Sequence, residues 1–232
     1  MVSFNTWRSL VDGESISAIP DSVEYRFDAR TITVNDGEEV ASWDDQVTGE
    51  SITGNSGSVP LYRESVSALD DNPAVEWVDD GDQLKNTSFD NIPVPHSRIA
   101  IIEVTDESAR HHIDGDFSQP PNYAMEWNDE PEWRANRDGD TIATGSTSNP
   151  ALVSIREEDS GATMRVNRTE VGSTSDGPEP DFNSIEFPPD GVLNGRDPKI
   201  KMVMWEIHSD VSEDELIGRE NDLVDEFGLN FA

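Results

Sequence analysis

The sequence predicts an all-β protein: a jelly-roll β-sandwich of two antiparallel sheets, followed by one C-terminal α-helix. Three observations carry that prediction. Short runs of β-branched and aromatic residues recur along the chain with period-two alternation. Clusters of Gly, Pro, Asn, Asp and Ser punctuate them as turns. A convincing helical pattern appears only at the end of the chain.

Taken in order, Met1 to Asp21 reads as an N-terminal arm or anchor segment, with a short helical turn over Thr6 to Val11, and residues 22–232 read as the jelly-roll domain. Val23 to Ala29 is the first strand, and Glu38 to Trp43 follows the Asn35-Asp36-Gly37 turn. Thr48 to Val59, rich in Gly, Ser and Thr, reads as loop. Asn72-Pro73 reads as a turn, because Pro73 fixes its own φ and pushes Asn72 out of the helical region. Ala74 to Val78 is then a strand, broken by Asp79-Asp80-Gly81-Asp82. Ser97 to Val104 is nearly continuously apolar, the mark of a strand buried on both faces. His111 to Asp116 and Asn122 to Trp127 suggest a hairpin, and Glu132 to Arg137 and Thr141 to Thr144 flank an Asp138-Gly139 turn. Ala151 to Glu157 and Ala162 to Asn167 alternate across Asp159-Ser160-Gly161. Ser173 to Asp181 reads as loop, Ser184 to Phe187 as a short strand, and Lys199 to Ile207 as a long one. Ser212 with Glu215 forms a capping box, Leu216, Leu223 and Phe227 keep helical spacing, and Gly228 suits a left-handed cap.

Composition narrows the setting. The 232 residues carry 49 acids against 16 bases, a formal net charge of −33, with 34% hydrophobic content. Only Lys85, Lys199 and Lys201 are lysines; the other bases are arginines. Six Trp and eight Phe argue for a folded core over disorder. At molar salt the Debye length falls to about 3 Å, so self-repulsion of this surface is screened. A salt-adapted origin is therefore expected, ahead of an ordinary acidic domain. No nucleic-acid partner is expected, because phosphate binding needs a basic footprint. The chain has no cysteine, which excludes disulfides, thiolate metal sites and a cysteine nucleophile. No apolar run approaches 18 residues, and the N-terminus lacks the pattern of a signal peptide. The expectation is a chain made in the cytoplasm that spans no membrane and leaves, where it leaves, by another route such as assembly into a particle.

Several stretches resemble one family. Tyr25-Arg26-Phe27-Asp28-Ala29, Asp36-Gly37 and Ser42-Trp43-Asp44-Asp45 are similar to the opening of concanavalin A-like (laminin G-like) jelly-roll domains. Pro60-Leu61-Tyr62 resembles their Pro-x-Tyr. Asn72 to Leu84 resembles the family stretch Asn-Gly-x-Pro-x-Val-x-Phe-Asp-Gly-x-Asp-x-Leu, with Trp77 where Phe is usual. Trp205-Glu206-Ile207, Val211 to Leu216 and Glu226 to Leu229 resemble the closing strand, Leu-Ser-x-x-Glu helix and Tyr-Gly-Leu end. Asn5-Thr6-Trp7 and Ala18 to Ser22 are similar to the lead-in of such domains in haloarchaeal virus and provirus proteins. The resemblance implies a concanavalin A-like sandwich used for adhesion, glycan binding or as a virion module.

Two candidate sites follow. Asp79, Asp80 and Asp82 sit on one tight turn, and calcium takes six to eight oxygens of this kind, with Asp44, Asp45, Asp70 or Asp71 available to complete a shell. The competing reading is a solvated acidic turn, in which Asp79 makes a turn-forming hydrogen bond. Tyr123, Trp127 and Trp133 could form a flat platform for sugar rings; the competing reading places tryptophan in the core. His111 and His112 are adjacent, hence a poor metal pair. No Gly-x-Ser-x-Gly elbow and no Glu-x-Asp-x-x-Glu strand motif is present; Glu126 to Glu130 comes nearest, with the wrong spacing. The expected function is a non-enzymatic surface protein of a halophilic virus, such as a head decoration, turret or tail-fibre component, with no catalytic residues and no required cofactor beyond a candidate Ca²⁺. Its expected partners are other virion proteins, further copies of itself as a homo-oligomer, and a host-surface glycan or glycoprotein. The alternatives are a cell-surface or secreted lectin-like adhesin, and a glycoside hydrolase or lyase on the same fold.

Overall fold

The computed structural model describes residues 18–54, 58–79, 81–86, 89–116, 123–128, 130–137, 140–143, 146–175, 182, 185–187 and 199–231. Residues 1–17, where a helical turn is expected, and the Asp138-Gly139 turn lie outside them.

The strands in chain order begin with β1 (Val23–Asp28), β2 (Ser42–Asp44), β3 (Ser51–Thr53), β4 (Leu61–Val66) and β5 (Asn72–Trp77). There follow β6 (Leu84–Asn86), β7 (His96–Val104), β8 (His111–Asp116), β9 (Tyr123–Asn128), β10 (Glu132–Arg137) and β11 (Asp140–Ala143). The last are β12 (Ala151–Glu158), β13 (Gly161–Val166), β14 (Thr169–Thr174), β15 (Ile185–Phe187) and β16 (Ile200–Ser209), before α1 (Glu213–Phe227). The first sheet runs β14-β13-β12-β7-β16-β5-β4, with β1 paired to the far half of β16; the second runs β11-β10-β9-β8-β15-β6-β3-β2. The pairings are antiparallel, so the predicted all-β jelly-roll sandwich with a C-terminal helix is the fold observed.

Period-two alternation sorts the first sheet's side chains into two cores. Ala100, Ile102, Val104, Ala151, Val153, Ile155, Val75 and Trp77 face the second sheet. Ile99, Ile101, Leu152, Ala74 and Val203 face α1, where Leu216, Leu223 and Phe227 close over them. This explains the unbroken apolar run of β7: one face meets a sheet and the other a helix. A register shift between Met202 and Met204 in β16 puts Val203 and Met204 on the helix side together and returns Trp205 to the inter-sheet core. Trp43, Trp77, Trp127, Trp133 and Trp205 are all buried there. A side chain of that size buries about 150–250 Å², on the order of 4–6 kcal/mol each as an upper bound.

α1 forms as its caps dictate. Ser212 Oγ accepts from the Glu215 amide, Glu215 Oε2 accepts from the Ser212 amide at 2.8 Å, and Gly228 takes φ +62°.

Several boundaries differ from the sequence reading. Asn72 and Pro73 are already strand; the reversal before them is made by Asp70 and Asp71, both left-handed at φ +52° and +61°. The predicted Glu38 to Trp43 strand is a single Glu39–Leu61 bridge followed by β2. The predicted Thr48 to Val59 loop contains β3, and β6 and β14 carry no clear alternation of their own.

Candidate functional site

The acidic turn after β5 is organised around Asp82. Its Oδ2 accepts from the amides of Val78 and Asp79 at 3.0 and 2.9 Å, and its own amide bonds the Asp79 carbonyl. Gly81 supplies φ +97°. The turn-forming carboxylate is thus Asp82 and not Asp79, which is exposed, while Asp80 lies outside the described residues. Asp45, a candidate to complete a calcium shell, accepts instead from the amides of Arg26, Val47 and Thr48 and from the Thr48 hydroxyl. Among the described residues no three Asp, Glu or His groups converge as a metal site requires.

Trp127 and Trp133 are fully buried and pack edge to face, ring centroids 5.2 Å apart. Their indole N–H groups donate to the carbonyls of Glu107 and Ser148. Neither presents a ring face to solvent, which removes them as a sugar platform; the core needed them. The side chain of Tyr123 lies outside the described part of the structure. His111 bonds the Asp106 carbonyl, whereas His112 lies 3.7 Å from Glu126, so the two share no ligand sphere.

Three polar assemblies emerge that strand-by-strand reading does not isolate. The first lies between the sheets. Arg98 of β7 donates to Asp114 of β8 at 2.9 Å and to Glu157 of β12 at 2.8 Å. His96 sits 2.5 Å from Glu157, and Trp205 Nε1 donates to Asp114 at 2.7 Å. Burial pushes the Glu157 carboxyl up, but Arg98 and His96 outweigh it and hold it at about 2. The second lies under α1. Arg26, Arg30 and Arg219 face Asp28, Glu206 and Glu226, with His208 on Glu206 at 2.8 Å. Burial opposes ionisation of Glu206, and the hydrogen bonds from Arg219 and His208 overcome it, so its carboxyl lies well below the usual range. Beside it, Glu220 of α1 accepts from Ser154 and Arg165. The available signal was phase: Arg98 and Glu157 occupy core-facing positions of their strands, and Arg219 and Glu220 lie on the buried stripe of α1.

The third assembly is open. Arg63 of β4, Glu76 of β5, Lys201 of β16 and Glu103 of β7 stand side by side across four neighbouring strands. Arg63 Nε bonds Glu76, and Lys201 lies 3.9 Å from Glu76 and 3.0 Å from Glu103. With Ser65, Val66, Ser67 and Ala68 they line a groove of about 350 Å³.

No family model matches the chain, and no curated relative matches it. Solved structures do. The binding domain of Paraclostridial Mosquitocidal Protein 1 superposes with TM-score 0.62 at 14% identity, over 88% of this chain and 52% of that one. Trypanosoma rangeli sialidase gives 0.58 at 9%, over 92% and 35%. The receptor-binding domain of botulinum neurotoxin D gives 0.54 at 11%, over 88% and 53%. The chain spans between about a third and a half of these proteins' lengths. At such identities the likeness establishes the β-sandwich fold.

Proposed function

We propose that the chain is a non-enzymatic recognition module on the outside of a salt-adapted particle: a head decoration, turret or tail-fibre component of a haloarchaeal virus that engages host-surface glycans. The observation that carries the non-enzymatic part is how the buried acids are used. Among the buried acids, Asp28, Asp114, Glu126, Glu157, Glu206 and Glu220 each bond an arginine, while Asp45 and Asp82 accept from backbone amides. Glycoside hydrolysis by a pair of carboxyl groups, the commonest scheme, needs one whose pKa is raised so that it can donate a proton. Glu157 and Glu206 are shifted the opposite way.

The likeness to domains described as binding and receptor-binding supports recognition as the role of this sandwich. The net charge of −33 with three lysines supports the high-salt setting, where screening relieves self-repulsion.

A glycan array probed in 2 M NaCl, with parallel product analysis of the same glycans, tests the reading. Binding without turnover is expected; cleavage of any bound glycan overturns it. Antibodies against the chain should label virus particles, and labelling confined to uninfected cell envelopes would replace the virion component by an adhesin.

A further inference from the structure

We propose that the Arg63–Glu76–Lys201–Glu103 groove is the ligand site and that it takes a neutral, hydroxyl-rich ring of the pyranose type. This rests on the recognition reading above and names its site. Alternation places all four side chains on the face of the first sheet that also carries α1: Ala74 and Ile101, one residue pair along from Glu76 and Glu103, contact the helix core. The four groups alternate in sign and balance to zero, so the groove favours neither an anion nor a cation.

Each side chain is held by strand pairing, with Leu61 opposite Glu76, and Lys201 opposite both Glu76 and Glu103. Strands lie about 4.8 Å apart. Donors and acceptors therefore recur at the scale on which a sugar ring presents its hydroxyls. Ser65 and Ser67 add hydroxyls, and Val66 and Ala68 add a small apolar wall. A groove of about 350 Å³ is at the small end of ligand sites and suits a single ring.

Exposure separates this ladder from the buried networks. Arg63, Glu76, Lys201 and Glu103 keep 30, 15, 22 and 18% of their side-chain surface open. Salt sharpens the choice of ligand: at molar ionic strength attraction beyond about 3 Å is screened, while direct hydrogen bonds persist. A neutral polyhydroxyl ligand loses nothing by that screening, whereas an anion drawn in by charge does.

The test is an NMR titration in 2 M NaCl with the methyl glycosides of mannose, glucose and galactose, and with N-acetylneuraminic acid as the charged comparator. A neutral glycoside should bind with shifts at Glu76, Glu103 and Lys201. Lys201→Met should weaken it about tenfold, the loss of one charged hydrogen bond. Ser67→Trp, on an exposed position at the groove wall, should abolish it without touching the ion pairs. Binding of a neutral glycoside unchanged in both folded variants overturns the groove and leaves the recognition reading standing. Binding of N-acetylneuraminic acid alone overturns the neutral-ligand assignment. A glycan array silent in 2 M NaCl overturns both.

Discussion

The network under α1 and the groove on the same sheet face are made of the same groups, cations from arginine or lysine against glutamate and aspartate, yet they do opposite work. Under the helix, Arg26, Asp28 and Glu206 have no exposed side-chain surface, and Arg219 and Glu226 keep only 4 and 3%; Arg30, at the network's edge, keeps 21%. Three arginines meet three carboxylates, with His208 added to Glu206. Charge removed from water is costly to strand, so each member constrains the others, and Arg219 and Glu226 tie α1 to the sheet beneath it. In the groove, 15–30% exposure leaves each pair close to solvent, where an ion pair contributes about 0–1 kcal/mol. Burial turns one kind of contact into a positioning device; exposure leaves the other free to be exchanged for a ligand.

The same chemical change made in both places should expose the difference. Glu206→Gln leaves Arg26, Arg219 and His208 facing a neutral amide in a sealed site. Unfolding free energy should fall by about 3–5 kcal/mol, read from urea midpoints at constant salt. A loss under 1 kcal/mol would mean that water reaches the network and that the contrast with the groove is false.

Acid should act on the buried acids next. Glu157 is held at about 2 in the folded state against a usual 4.5. A depressed carboxyl contributes stability that is present above 4.5 and is lost as pH falls toward 2. The shift corresponds to roughly 3 kcal/mol, and Glu206 acts in the same direction. Urea midpoints should therefore decline between pH 5 and pH 3, and Glu157→Gln should flatten the decline. A stability that is level across that window would remove the inter-sheet cluster as an ionised network.

Much of this architecture was readable from the chain because it is locally encoded. β7 and β16 announce themselves through long strand-like runs, β12 through alternation, and α1 through a capping box and a terminal glycine. β14 was hidden for a local reason. The reversal before it uses Asn167 and Arg168 at φ +48° and +68°, without the glycine that flags such a turn. Trp127 shows the limit for sites: an aromatic beside acids reads as a sugar platform or as core, and only its packing on Trp133 decides. The groove was illegible because it joins positions 63, 76, 103 and 201. Their alignment depends on the cross-strand register of four strands, which no local pattern reports.

Two smaller changes sharpen the contrast further. Ser212→Ala removes the helix cap while leaving Arg219, Glu220 and Glu226 in place. If the buried network positions α1, the cost should stay near 1 kcal/mol, the ordinary value of a cap, and the helix should remain docked by near-ultraviolet circular dichroism. Glu103→Gln makes at the groove the substitution already set against Glu206. Lys201 keeps Glu76 nearby and keeps access to water, so no charge is stranded. Its unfolding free energy should change by no more than about 0.5 kcal/mol. A loss approaching that of Glu206→Gln would show that the ladder is a structural strut of the first sheet, fully engaged within the protein and closed to a ligand.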